Sequence, residues 1–230
     1  MRQTVAIIFF LSGASGLIYQ IIWTRQLTLL FGTTVLAIST VLTAFMAGLA
    51  LGSVYFGKLA DRHSSPMRLY AILEILIGVY ALIFPLFLLI LKASYILIYR
   101  SFNAEFYSLT LVRFAISFLI VLIPTTLMGG TLPTISKFVV KEIGNRGRRI
   151  GFFYAVNTFG AAIGTIATGF ICIQYLGIQN TIFLAVAINF FVAFVAFLID
   201  RHPKTGQADV NFNPTPEPPG LGRDPIWKFV

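Results

Sequence analysis

The sequence is short of the residues that most catalytic and metal sites need. It has one cysteine and two histidines. Cys172 stands alone inside an apolar stretch, which excludes an intrachain disulfide and a cysteine-based metal centre. His63 and His202 lie far apart in loop-like sequence with no ligand spacing, so no metal is expected. No Ser/His/Asp set, no paired acids and no phosphate-binding loop are present. Gly13-Ala14-Ser15-Gly16 does not make a dinucleotide turn. No cofactor and no enzymatic activity are therefore expected. Charge is scarce as well, at 11% of residues, where soluble domains carry about 25%. A soluble fold of 230 residues with so few charges lacks the polar surface to cover itself. Acids are the scarcer sign, 8 against 17 Lys and Arg. That excess is not a nucleic-acid signature, because the basic residues sit between apolar runs and not on a basic helix with interleaved aromatics.

What the chain has is apolar length. It is 57% hydrophobic with a mean hydropathy of +0.87. Repeated long apolar runs predict an all-α integral membrane protein whose main partner is the lipid bilayer. Six spans are expected, near 5–23, 34–57, 69–91, 109–128, 151–173 and 181–199. At 1.5 Å per residue, ~19 residues cover about 28 Å, close to a hydrocarbon core. The first run has a short positive lead, Arg2, but no clear cleavage pattern, and reads as a retained helix. It either runs on through Arg25 or breaks there. Tyr19 and Trp23 fall near its far end, where aromatic rings favour the interface. Pro85 should kink the third span. Residues 92–108, with Lys92, Arg100 and Glu105, read as an interfacial loop. Residues 129–149 read as a basic connection, and 201–230, with six of the ten prolines, as a disordered or extended tail.

Charge sets the orientation. With the N-terminus in the cytoplasm, thirteen of the 17 Lys and Arg fall on that side. Arg25, Lys92, Arg100 and Arg113 fall on the other. Six spans with both termini cytoplasmic follow.

Three groups of residues stand out. Ala44, Gly48 and Gly52 are spaced four apart, so they share one helix face, and Gly160 and Gly164 repeat the spacing in the fifth span. Small residues on one face let a second helix approach closely, and such a face serves packing or, less simply, a substrate path. Gly57, Asp61 and Arg62 mark a charged turn at the water boundary after the second span. Polar residues inside spans are costly and are functional candidates by default. Glu74 is the acid well inside a span; it either serves a site, snorkels to the interface, or pairs with Arg62 or Arg68. Arg113 either binds an anion, pairs with Glu105 or anchors at the interface. Asn157 either reads a substrate or bonds a neighbouring helix. Tyr19 and Gln20, near Arg25, complete a polar cluster at the end of the first span.

Several stretches taken together carry a resemblance. They are Ser12-Gly13 through Tyr19-Gln20-Ile21-Ile22-Trp23-Thr24-Arg25-Gln26-Leu27, Ala44 through Ser53, Leu69-Tyr70-Ala71-Ile72-Leu73-Glu74, Pro124 through Pro133, and Tyr154 through Ala161. They resemble the membrane portion of bacterial proteins in which a major-facilitator-like helical region is fused to a spermidine synthase-like domain. Gly57 to Arg62 also resembles the G-x-x-x-D-R turn between the second and third helices of major facilitators, although His63-Ser64-Ser65 departs from the usual basic continuation. The resemblance implies a six-helix bundle like half of a major facilitator fold. It also implies a transport-type module that handles a small cation such as a polyamine. Half a transporter needs a second copy or a partner membrane subunit to enclose a path. The alternative is a non-transporting anchor or assembly subunit, holding a separate aminopropyltransferase-like enzyme or another complex at the membrane. The ~30 residues after the sixth span are too few for an aminopropyltransferase domain, so that family's catalytic residues have no positions here.

Overall fold

The computed structural model describes the backbone of residues 2–31, 34–102, 106–143 and 146–201, and side chains over 2–31, 35–93, 111–140 and 150–201. Glu105 and the Pro-rich segment 202–230, with His202, lie outside the described residues. Every described element is helical. In chain order they are α1 (Arg2–Phe31), α2 (Thr34–Arg62), α3 (Pro66–Phe102), α4 (Phe106–Gly129), α5 (Thr131–Ile143), α6 (Arg146–Ala167), a wide π-helical turn (Thr168–Cys172) and α7 (Ile173–Arg201). In lipid a helix is the way a single segment satisfies its own backbone, and these apolar runs take it.

The helices are longer than the expected spans. α1 runs unbroken through Arg25 to Phe31. Tyr19 and Trp23 therefore lie in its middle, not at an interface. Both are fully buried, and Tyr19 stacks on Trp23 at 5.4 Å and Trp23 on Phe84 at 4.7 Å. α3 continues through Pro85 to Phe102, so residues 92–102 are helix and not loop. The Gly57–Arg62 segment is the last part of α2, and the turn is confined to His63–Ser65. The basic connection after Gly129 contains α5, a strongly amphipathic helix. Its buried face, Ile135, Phe138 and Val139, packs with Met67 and Tyr70 of α3. Its Lys137 donates to the Ala60 carbonyl and stands 4.0 Å from Asp61. A cation at the last carbonyls of α2 complements the negative end of that helix.

Five described helical stretches are long and apolar enough to cross a membrane, not the expected six. The difference lies in the last one, the 52-residue run Ile150–Arg201. A straight run of that length would extend about 78 Å. α1, at 30 residues, packs along both α6 and α7. The run must therefore fold back, and it does so at Gly177, whose φ of 76° and ψ of 172° are not helical. Only glycine adopts such a backbone without strain.

Helices pair across the bundle rather than along the sequence. α2 packs most on α4, α1 on α6, and α3 on α7. The first two seams are tight. A Cβ on Gly48 would strike Thr125, and one on Gly52 the Thr126 carbonyl. Ala44 is fully buried in the same seam and its carbonyl accepts from Thr125 Oγ1 at 3.2 Å. Across the α1–α6 seam, a Cβ on Gly160 would strike the Phe10 carbonyl, and one on Gly164 would sit 2.5 Å from that of Ala14.

The buried side chains form two apolar clusters, one toward each end of the bundle. One includes Phe9, Ala71 and Val192; the other includes Ile18, Ile77 and Val186. On α1, α3 and α7 alike, a polar residue stands between the two: Ser12, Glu74 and Asn189.

Candidate functional site

The site is built from that polar layer. Ser12, Glu74 and Asn189 lie about 15, 12 and 18 Å from the ends of their helices at 1.5 Å per residue, all counted from the same end of the bundle. Glu74 is fully buried. Ser12 Oγ donates to Glu74 Oε1 at 2.5 Å, and Asn189 Nδ2 donates to Glu74 Oε2 at 2.6 Å. The Asn189 Oδ1 in turn accepts from Tyr19 Oη at 2.8 Å. The Tyr70 hydroxyl also reaches Glu74. Glu74 thus pairs with neither Arg62 nor Arg68 and does not snorkel: its partners are neutral donors from α1, α3 and α7. Donors at both oxygens offset part of the cost of a carboxylate away from water.

A cleft of roughly 100 Å3 opens beside this layer. Ser12 and Asn189, the donors to Glu74, line it together with Gly13, Asn157, Met128 and Thr131. Asn157, one of the lining residues, is half-buried. Asn157 Nδ2 also donates to the Phe9 carbonyl at 2.9 Å, which ties α6 to α1. The cleft presents hydroxyl and amide groups on apolar walls, with a carboxylate one hydrogen bond behind them. That chemistry suits a small cation or a protonatable group.

The other candidates fall elsewhere. Gln20 is half-buried on α1, and its carbonyl accepts from Thr24; Arg25 is exposed, so Tyr19, Gln20 and Arg25 do not form one cluster. Arg113 lines a different cavity, with Lys92 and Ser117, at the opposite end of the bundle from Asp61. Asp61 and Arg62 are exposed at the end of α2, and Gly57 faces Pro133 of α5. Asn189 and Ser12 are the residues that reasoning on the sequence alone passed over as site members. The rule that singles out Glu74, a polar group in an apolar run, applies equally to Asn189 within Leu184–Phe191. Among the described residues no group of histidine, cysteine and acidic side chains could hold a metal ion.

The long apolar helices make this a multi-pass membrane protein. No curated protein and no solved structure matches the chain significantly. The model of one family does match, over residues 5–229, so the apolar helices, the α2–α5 corner and the polar layer are all inside the matched region: the chain belongs to the Major Facilitator Superfamily.

Proposed function

We propose that the chain is a transport-type module, half of a major facilitator bundle, with Glu74 as the counter-charge for a small organic cation such as a polyamine. One observation carries the reading: a fully buried intramembrane carboxylate whose partners are all neutral, one hydrogen bond from an open cleft. Ionisable residues inside membrane spans are functional candidates by default, and many line substrate or proton paths. The run Ile150–Arg201 crosses twice, so the bundle has six spans with both ends cytoplasmic, as the excess of basic residues on that side supports. The domain is then residues 1–200, with a cytoplasmic tail from 201 to 230. A cleft of this size admits an ammonium head and not a whole polyamine. The remainder of the substrate rests against a second bundle, supplied by another copy or by a partner subunit. The tie to spermidine synthase-like proteins is part of this proposal and rests on the sequence motifs alone.

One observation favours a second reading. Both oxygens of Glu74 already have donors, and a closed network of this kind serves equally well to fix helix register in a membrane anchor or assembly subunit. The test is Glu74→Gln in the purified protein, with polyamine binding and thermal stability measured together. Binding in the parent that is lost in the variant at unchanged stability supports transport. No polyamine binding by the parent removes the transport reading and leaves the anchor.

A further inference from the structure

The end of the bundle remote from Asp61 holds a cavity of about 210 Å3 between α1, α3 and α4. Leu29, Phe31 and Leu91 form its apolar walls, and Lys92, Arg113 and Ser117 its polar ones. Among the described residues that line it, none is acidic. Two positive side chains therefore border one space. Ser117 is fully buried, and its hydroxyl has no hydrogen-bond partner. A buried hydroxyl beside two cations is a ready donor to an anionic oxygen.

The surroundings say how such an anion arrives. Leu29, itself a wall residue, is 78% exposed, and Leu89 and Leu111 are 64% and 67% exposed nearby on α3 and α4. These side chains face the acyl region of a bilayer. A free inorganic anion would have to cross that apolar surface, whereas a phospholipid brings its own chains to cover it. We propose that this cavity binds the phosphate of an acidic phospholipid, with Lys92 and Arg113 about the phosphate, Ser117 donating to it, and an acyl chain along Leu29 and Leu91. A zwitterionic lipid carries its own ammonium at the headgroup and gains less from the two cations; basic pockets between membrane helices favour acidic headgroups for this reason. The site is separate from Glu74 and stands whether or not the chain transports anything.

Native mass spectrometry of the full chain, purified in micelles doped with phosphatidylglycerol or phosphatidylcholine, tests it. The parent should retain phosphatidylglycerol in preference to phosphatidylcholine. Lys92→Gln and Arg113→Gln should each cut that retention about fivefold, the worth of one basic residue near a membrane surface. Excess inorganic phosphate should not displace the lipid. Lys92 is exposed, so Lys92→Gln folds and decides the matter even if Arg113→Gln does not. Equal retention of the two lipids by the parent overturns the proposal, as does undiminished retention in Lys92→Gln. Displacement by inorganic phosphate also overturns it, and identifies a free anion as the occupant.

Discussion

Gly52→Ala and Gly57→Ala sit five residues apart on α2 and should change stability in opposite directions. At Gly52 an added Cβ falls on the Thr126 carbonyl oxygen, 2.9 Å from its carbon and 3.0 Å from Gly129 Cα. Ordinary contacts of a Cβ are 3.4–4 Å. Every obstructing atom belongs to the backbone of α4, so no rotamer change relieves the overlap and the two helices must separate. Overpacking of this kind costs typically 1–3 kcal/mol, and a rigid backbone obstacle puts it at the upper end. The better helix propensity of alanine returns up to about 1 kcal/mol. A net loss of about 2 kcal/mol follows from these two figures. At Gly57 the nearest atom is Pro133 Cβ at 3.8 Å, an ordinary contact, so the propensity gain stands alone. The two variants should then differ by about 3 kcal/mol, or roughly 6–12 °C in melting temperature for a chain of this size. Melting in detergent micelles, followed by far-ultraviolet circular dichroism, reads the difference. A Gly52→Ala protein that melts at or above Gly57→Ala would show that α2 and α4 do not meet along this seam.

Glu74→Ala strands the Ser12 and Asn189 donors and should lose about 2–6 kcal/mol, at 1–3 kcal/mol per stranded group. Glu74→Gln keeps the shape and lets Ser12 accept instead of donate, so its melting point should stay much nearer the parent's; the reverse ranking of the two variants refutes the network. Gly177→Ala meets no atom within 4 Å, so its cost is backbone strain alone, about 1–2 kcal/mol; unchanged melting would place the fold-back elsewhere. A thiol at Ser64 should react with an impermeant maleimide only after cells are opened, and one at Ser101 in intact cells. The sole native cysteine, Cys172, is buried and gives a low background. Labelling of Ser64 in intact cells reverses the orientation.

The glycine spacing on α2 and α6 can be read from the sequence because a helical repeat is local: residues four apart share a face whatever the rest of the chain does. The apolar runs are legible for the same reason. Boundaries are less so. Residues 92–102 carry Lys92 and Arg100 among tyrosines and read as an interface, yet α3 runs through them, since charge alone does not end a helix that has no breaker. The aromatic rule also points the wrong way at Trp23. Stacking on Tyr19 and Phe84 inside the bundle outweighs the pull of the interface. α5 is hidden because its short apolar stripe alternates with basic residues. The partners of Glu74 are the least legible part. Ser12 is 62 residues away and Asn189 is 115, and no local pattern points across such distances.

That separation has a consequence for how the chain is made. α1 enters the bilayer first and can offer Ser12 to Glu74 as soon as α3 follows. Asn189 is synthesised 115 residues later, which at 5–20 residues per second is a delay of about 6 to 23 s. For that interval Glu74 lacks the donor that Asn189 supplies in the finished bundle, and an intramembrane carboxylate without its partners is costly. Arrival of α7 supplies the last donor and closes the layer. The buried layer is therefore the last part of the bundle to be completed, because one of its three helices is also the last to be made.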